Sequence, residues 1–133
     1  MTEIEHYVRP SGMPPGNGYS HVVAGSGRLV VVSGQLPLDG DGSLVGRGDA
    51  TAQLRQVFSN LRDALAAAGA TLEQVVKLTV FLTDLADLSA FRSVRDEYLP
   101  SGPCPASSLV QVSGLVHPEA RAEIEAMAIT PSA

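Results

Sequence analysis

The sequence predicts an α+β fold in which a mixed six-stranded sheet carries two helices on one face. Three observations lead there: short β-branched runs, two longer stretches with apolar residues at helical spacing, and an order that sets both helices between strands. The 133 residues suffice for one core and no linker or composition shift divides them, so residues 1–133 are expected to form one domain.

Taken in order, Pro10 to Gly18 is a cluster of turn formers that can propagate neither a helix nor a central strand, and it reads as a loop approaching Tyr19. His21–Ala24 and Arg28–Gly34 are β-branched runs separated by Gly25-Ser26-Gly27, which predicts an antiparallel hairpin. The unbroken apolar stretch Leu29–Val32 predicts a strand covered on both faces. Leu36 to Gly48 is rich in Gly and Asp and reads as a loop. Asp49-Ala50-Thr51 then offers helix-start residues, and Leu54, Val57, Phe58, Leu61 and Leu65 form one apolar stripe, with Gly69 placed as a left-handed cap.

Val75–Thr83 alternates and predicts a strand with Val76, Leu78, Val80 and Leu82 on one face. Asp84 or Asp87 can cap a second helix with Leu88, Phe91, Val94 and Tyr98 on one side, stopped by Pro100 and Gly102. Strands Ser107–Val112 and Arg121–Ile129 close the chain. In the last of these, Glu123 and Glu125 share one face while Ala122, Ile124 and Ala126 share the other. The order is β, β, β, α, β, α, β, β, with both helices in crossovers and hairpins at either end. Such a sheet leaves its other face bare, and apolar residues there predict self-association.

Composition narrows the function classes. Nine Lys and Arg against fourteen Asp and Glu give a net charge of −5, and the basic residues are scattered, so no stripe exists to neutralise phosphates and nucleic acid is not an expected partner. Cys104 is the sole cysteine, which excludes an intrachain disulfide or a thiolate metal cluster and is compatible with a reducing compartment. His21 and His117 have no metal-ligand spacing with each other or with Cys104, so no metal is expected. No apolar run approaches the roughly 18–20 residues of a membrane span and the start of the chain has no leader-like pattern. A cytoplasmic protein without membrane partners is expected.

Four segments in sequence carry a resemblance: Gly18-Tyr19; Val32-Ser33-Gly34-Gln35-Leu36-Pro37; Val76 through Leu85; and Pro105-Ala106 with Glu123-Ile124-Glu125-Ala126. Together they resemble the reactive intermediate deaminase (Rid, or YjgF-type) family, also labelled endoribonuclease L-PSP, over nearly the whole chain. The resemblance implies a chorismate-mutase-like fold, a homotrimer, and ligand clefts at subunit interfaces that take a small molecule. In active relatives these clefts hydrolyse imine and enamine intermediates to 2-keto acids and ammonia, without metal or organic cofactor. It also implies the site residues: Tyr19, Ser33, the backbone of Gly34, the backbone of Leu109, and Glu123.

Glu123 would hold or deprotonate the attacking water, and Tyr19 would hydrogen-bond the ligand or that water. Main-chain groups at Gly34 and Leu109 would fix the ligand's polar atoms. The plainer alternatives are a solvated strand acid for Glu123, a core-edge aromatic for Tyr19 and a strand-end hydroxyl for Ser33. Glu125 is expected to be structural and Cys104 inert. The departure is at Ser107, where the resemblance implies an arginine that forks onto the substrate carboxylate. A charge-assisted hydrogen bond contributes about 1.5–3 kcal/mol, so its loss predicts anion binding weakened about ten- to a hundred-fold. Arg121 is expected to pair with a surface acid, with service as a substitute anchor the alternative. The expected function is hydrolysis of an imine or enamine with a non-standard substrate, or else metabolite binding without catalysis. The acidic balance opposes ribonuclease activity.

Overall fold

The computed structural model describes residues 3–99 and 102–132. It contains six strands and two helices: β1 Glu3–Tyr7, β2 Val22–Ser26, β3 Arg28–Gln35, α1 Ala50–Ala67, β4 Val75–Leu82, α2 Leu88–Tyr98, β5 Ala106–Gln111 and β6 Ala122–Thr130. The order is the expected one, but its first strand, β1, falls in a segment where the sequence pattern located none. The six strands divide into two sheets. A four-stranded mixed sheet runs β3-β6-β4-β5, with β4 and β5 parallel, and β1 pairs only with β2 in a separate antiparallel ribbon.

Neither expected hairpin forms. Only Gly27 separates β2 from β3, fewer than the two residues of the shortest common hairpin loop, so the chain turns a corner there. β3 pairs instead with β6, which also pairs with β4, so that β4 and not β6 is the neighbour of β5. The β1–β2 ribbon is tied to the main sheet at both ends: Gly27 leads into β3, and Ser20 bridges to Ala106 at the start of β5.

Both helices cover one face of the four-stranded sheet. Every member of the α1 stripe, Leu54, Val57, Phe58, Leu61 and Leu65, is fully buried against Val30, Val32, Leu78, Val80, Ile124 and their neighbours. Burying each such side chain contributes about 1.5–3 kcal/mol. Asp49 caps α1 by accepting from the Ala52 N–H at 3.0 Å, and Gly69, at φ 76°, ends it by donating to the Ala66 carbonyl. Phe58 stacks on Phe91 and Tyr98, with ring centroids 6.2 and 5.3 Å apart, and so joins the helices. Asp84 caps a 3-10 turn, Leu85–Asp87, that runs into α2, while Asp87 makes no capping bond of its own. The stop assigned to Pro100 lies outside the described residues.

Two expectations about strand faces need correction. A register slip between Val75 and Lys77 returns Val75 to the buried face, so the alternation read from the sequence holds from Leu78 onward but not at Val76. On β3, Val30 and Val32 are buried but Leu29 and Val31 remain 60% and 65% exposed, so the strand is covered on one face only. Their face, which also exposes Met127, has no helix over it in this chain. Among the described residues no helix is long and apolar enough to cross a membrane.

Candidate functional site

The residues singled out from the sequence separate into two clusters at opposite edges of the four-stranded sheet. At the β3 edge, Val32 pairs with Ala126 and Gln35 with Ile124, so Ser33 and Gly34 together oppose Glu125 alone. This bulge frees main-chain groups from the ladder. Glu123 lies directly against it. A Cβ at Gly34 would collide with the Glu123 carboxylate and stand only 2.9 Å from its Cδ, so glycine there is a condition of the acid's position. Glu123 is half-buried, opposite Phe81 on β4, and among the described residues its carboxylate has no hydrogen-bond or ion-pair partner. Ser33 is exposed and its carbonyl accepts from Gln35 Nε2 at 3.0 Å.

The segment after Gly34 is fixed from α1, a role that periodicity did not reveal. Asn60 Nδ2 donates to the carbonyls of Leu36 and Leu38 at 3.0 and 2.8 Å, and Gln56 Nε2 also reaches Leu38. Fully buried Gln53 holds the start of β6: its Nε2 donates to the Gly46 and Glu119 carbonyls and its Oε1 accepts from the Arg121 N–H at 2.7 Å. A glutamine flanking an apolar helical stripe is the one sequence signal that could have pointed to this staple.

At the β5 edge, Tyr19, Ser107 and Leu109 line a common cavity of about 260 Å³ with Asn17, Gly18 and residues of α2. Ser20 sets the aromatic beside the strand. Its N–H donates to the Pro105 carbonyl at 3.1 Å and its hydroxyl to the Cys104 carbonyl at 2.6 Å. The Tyr19 ring packs on Gly16 and meets His21 edge-on at 5.3 Å. Sequence reasoning passed over Arg92 and Arg95, which line the same cavity beside Leu88 and Phe91. Their spacing from Leu88 and Phe91 along α2 is the one sequence signal that points to them.

The two clusters do not meet within one chain. β3 and β5 lie three interstrand spacings apart, roughly 14 Å. They also use different faces: Ser107 pairs with Leu78, whose side chain packs under the helices, whereas Glu123 pairs with Phe81 on the uncovered face. Arg121 joins neither. It lies before β6, turned toward α2, and donates Nε and Nη2 to the two Asp87 carboxylate oxygens at 2.8 and 3.0 Å. Those hydrogen bonds and the adjacent charge hold the Arg121 pKa above its ordinary value. Its partner is thus a largely buried acid rather than a surface one, and its guanidinium is not free to anchor a ligand. Among the described residues, no three His, Cys, Asp or Glu side chains come together as a metal-binding group.

An α+β sheet with this topology and these edge clusters defines the class, and comparison with known proteins defines the family. The family model described as Endoribonuclease L-PSP matches residues 11–130, and the chain belongs to this family, the Rid or YjgF-type proteins. It is 40% identical over 121 residues to 3-aminoacrylate deaminase RutC of Acinetobacter baylyi, spanning 91% of this chain and 94% of the relative. It is 39% identical over 113 residues to Protein DfrA of Myxococcus xanthus, spanning 84% and 85%. Among solved structures, the conserved Rid family protein YyfB of Yersinia pestis superposes with a TM-score of 0.88 at 34% identity, covering 96% of this chain and 98% of that one.

Proposed function

We propose that this protein hydrolyses a reactive imine or enamine to a carbonyl compound and ammonia, in clefts formed between the copies of a homotrimer. The observation that carries the reading is the Glu123 carboxylate, unpartnered among the described residues and seated over the Gly34 bulge. The likeness to a 3-aminoacrylate deaminase supports the reaction class. Support for the shared cleft comes from the separation of the two clusters and from the exposed Leu29, Val31 and Met127 on the face that carries Glu123.

In this reading Glu123 removes a proton from water as its oxygen attacks the C=N carbon. Glu123 hands that proton to nitrogen, and as the C–N bond breaks and ammonia leaves, the carboxylate takes the remaining hydroxyl proton so that the carbonyl forms. Main-chain groups of the bulge and of Leu109, brought from a neighbouring copy, hold the polar atoms of the substrate, and Tyr19 orients the ligand or the water. Ser107 supplies only a hydroxyl, which favours a second reading in which the same cleft binds a metabolite without turning it over. An amino-acid oxidase coupled to the purified protein tests the first reading by generating imino acids in situ. Faster loss of the imine with the native chain, and not with Glu123→Gln, is expected; equal rates in both would overturn it. Ligand binding with no turnover would establish the second. Light scattering tests the trimer separately, and a monomer at micromolar concentration would contradict it.

A further inference from the structure

The cavity at the β5 edge stands out electrostatically. The whole chain carries a net charge of −5, yet this cavity is lined by two arginines and by no carboxylate. Arg92 and Arg95 lie one turn apart on α2, on the face that also presents Leu88 and Phe91 to the cavity. The two arginines are held differently. Arg95 is buried, its guanidinium over the Phe91 ring at 5.7 Å, and its N–H groups reach Asn17 O at 3.0 Å, Asn17 Oδ1 at 3.3 Å and the exposed Asp96 at 3.0 Å. Gly18 makes room for it, since a Cβ there would strike the guanidinium. Arg92 is exposed and has no hydrogen-bond or ion-pair partner among the described residues.

A fixed charge behind a free one, with apolar walls and a hydroxyl from Ser107, suits a small organic anion. We propose that this cavity is a carboxylate subsite in which Arg92 of α2 grips the acid group while Arg95 fixes the turn at residues 17–18 and adds a second positive charge. The strand position 107 then contributes a hydrogen bond and no charge. Leu88, Phe91 and Leu109 supply an apolar wall, which selects a short-chain oxo or imino acid over a polar one. As a description of the substrate this rests on the hydrolytic reading; as a binding site it does not.

The test is therefore a binding measurement. Calorimetric titration with 2-oxobutanoate and with its neutral amide compares ligands of one shape that differ in charge. The native protein is expected to prefer the acid about ten-fold or more. Arg92→Gln removes the preference, Arg92→Lys retains part of it, and neither shifts the melting temperature, because Arg92 is exposed. Equal binding of acid and amide by the native chain, including none of either, overturns the proposal, as does a preference that survives Arg92→Gln. Glu123→Gln separates the two readings, since it is expected to slow turnover about 10²- to 10⁴-fold and keep the preference for the acid. If the native protein turns nothing over but its preference follows Arg92, the subsite stands and the hydrolytic reading falls. If it hydrolyses imino acids with a KM indifferent to Arg92→Gln, the subsite falls and the hydrolytic reading stands.

Discussion

The two edges of the sheet hold complementary chemistry on different principles. At the β3 edge a single carboxylate is positioned by backbone irregularity: a bulge, a glycine that makes room, and staples from α1. At the β5 edge the strand is regular, and charge arrives from the helix α2 packed beside it. On the proposed reading one edge moves a proton and the other holds an anion. In the proposed subsite, serine at strand position 107 leaves the positive charge to a neighbouring element, α2.

The sharpest test of this division is Glu123→Gln, expected to lower kcat about 10²- to 10⁴-fold with little change in KM. On the proposed trimer, mixing that variant with Tyr19→Ala is expected to restore activity in about one quarter of the clefts after random assembly, because the proposed cleft takes Glu123 from one copy and Tyr19 from another. No recovery on mixing would place both edges of one chain in each cleft and break the comparison. A smaller effect is expected from Gln53→Leu, which strips the buried partners from Gly46, Glu119 and Arg121. It should lower stability by about 2–3 kcal/mol in urea unfolding. Gly34→Ala should cost about ten- to a hundred-fold in kcat by displacing the Glu123 carboxylate, with little loss of stability, and leave acid binding at the β5 edge intact.

The smallest effect is a control remote from both edges. Arg55 donates two hydrogen bonds to Glu97 across the helices, and these hold the Glu97 carboxyl below its ordinary range. A depressed folded-state pKa stabilises above the unfolded value, and that contribution is lost as pH falls through the folded one. Glu97→Gln should flatten this acid-side decline slightly, measured by melting temperature from pH 6 down to pH 3, and leave catalysis untouched; the pair is exposed, so the change is small.

Element identities were legible because periodicity reports burial, and burial is what α1, β4 and β6 share. Leu54 through Leu65 and the Ala122–Ala126 alternation fall where the pattern put them. Strand partnership was not legible. Pairing depends on register across distant segments, and the glycines at 25–27 resemble a hairpin turn although the chain merely turns a corner there. In the candidate site, Glu123, Gly34 and Tyr19 could be named from local motifs. Arg92 and Arg95 could not, because their significance arises only when α2 packs beside β5. The partner of Arg121 was missed for the same reason: Asp87 is 34 residues away and becomes a neighbour only through the fold.

The tether at Ser20 carries one more consequence. Both of its acceptors, at Cys104 and Pro105, are main-chain carbonyls, so the link between the Tyr19 loop and β5 is indifferent to which side chains stand at those two positions. Positions 104 and 105 can therefore change in size or polarity while the aromatic keeps its place. The frame that seats Tyr19 beside β5 is thus written in the backbone of residues 104 and 105 and not in their side chains.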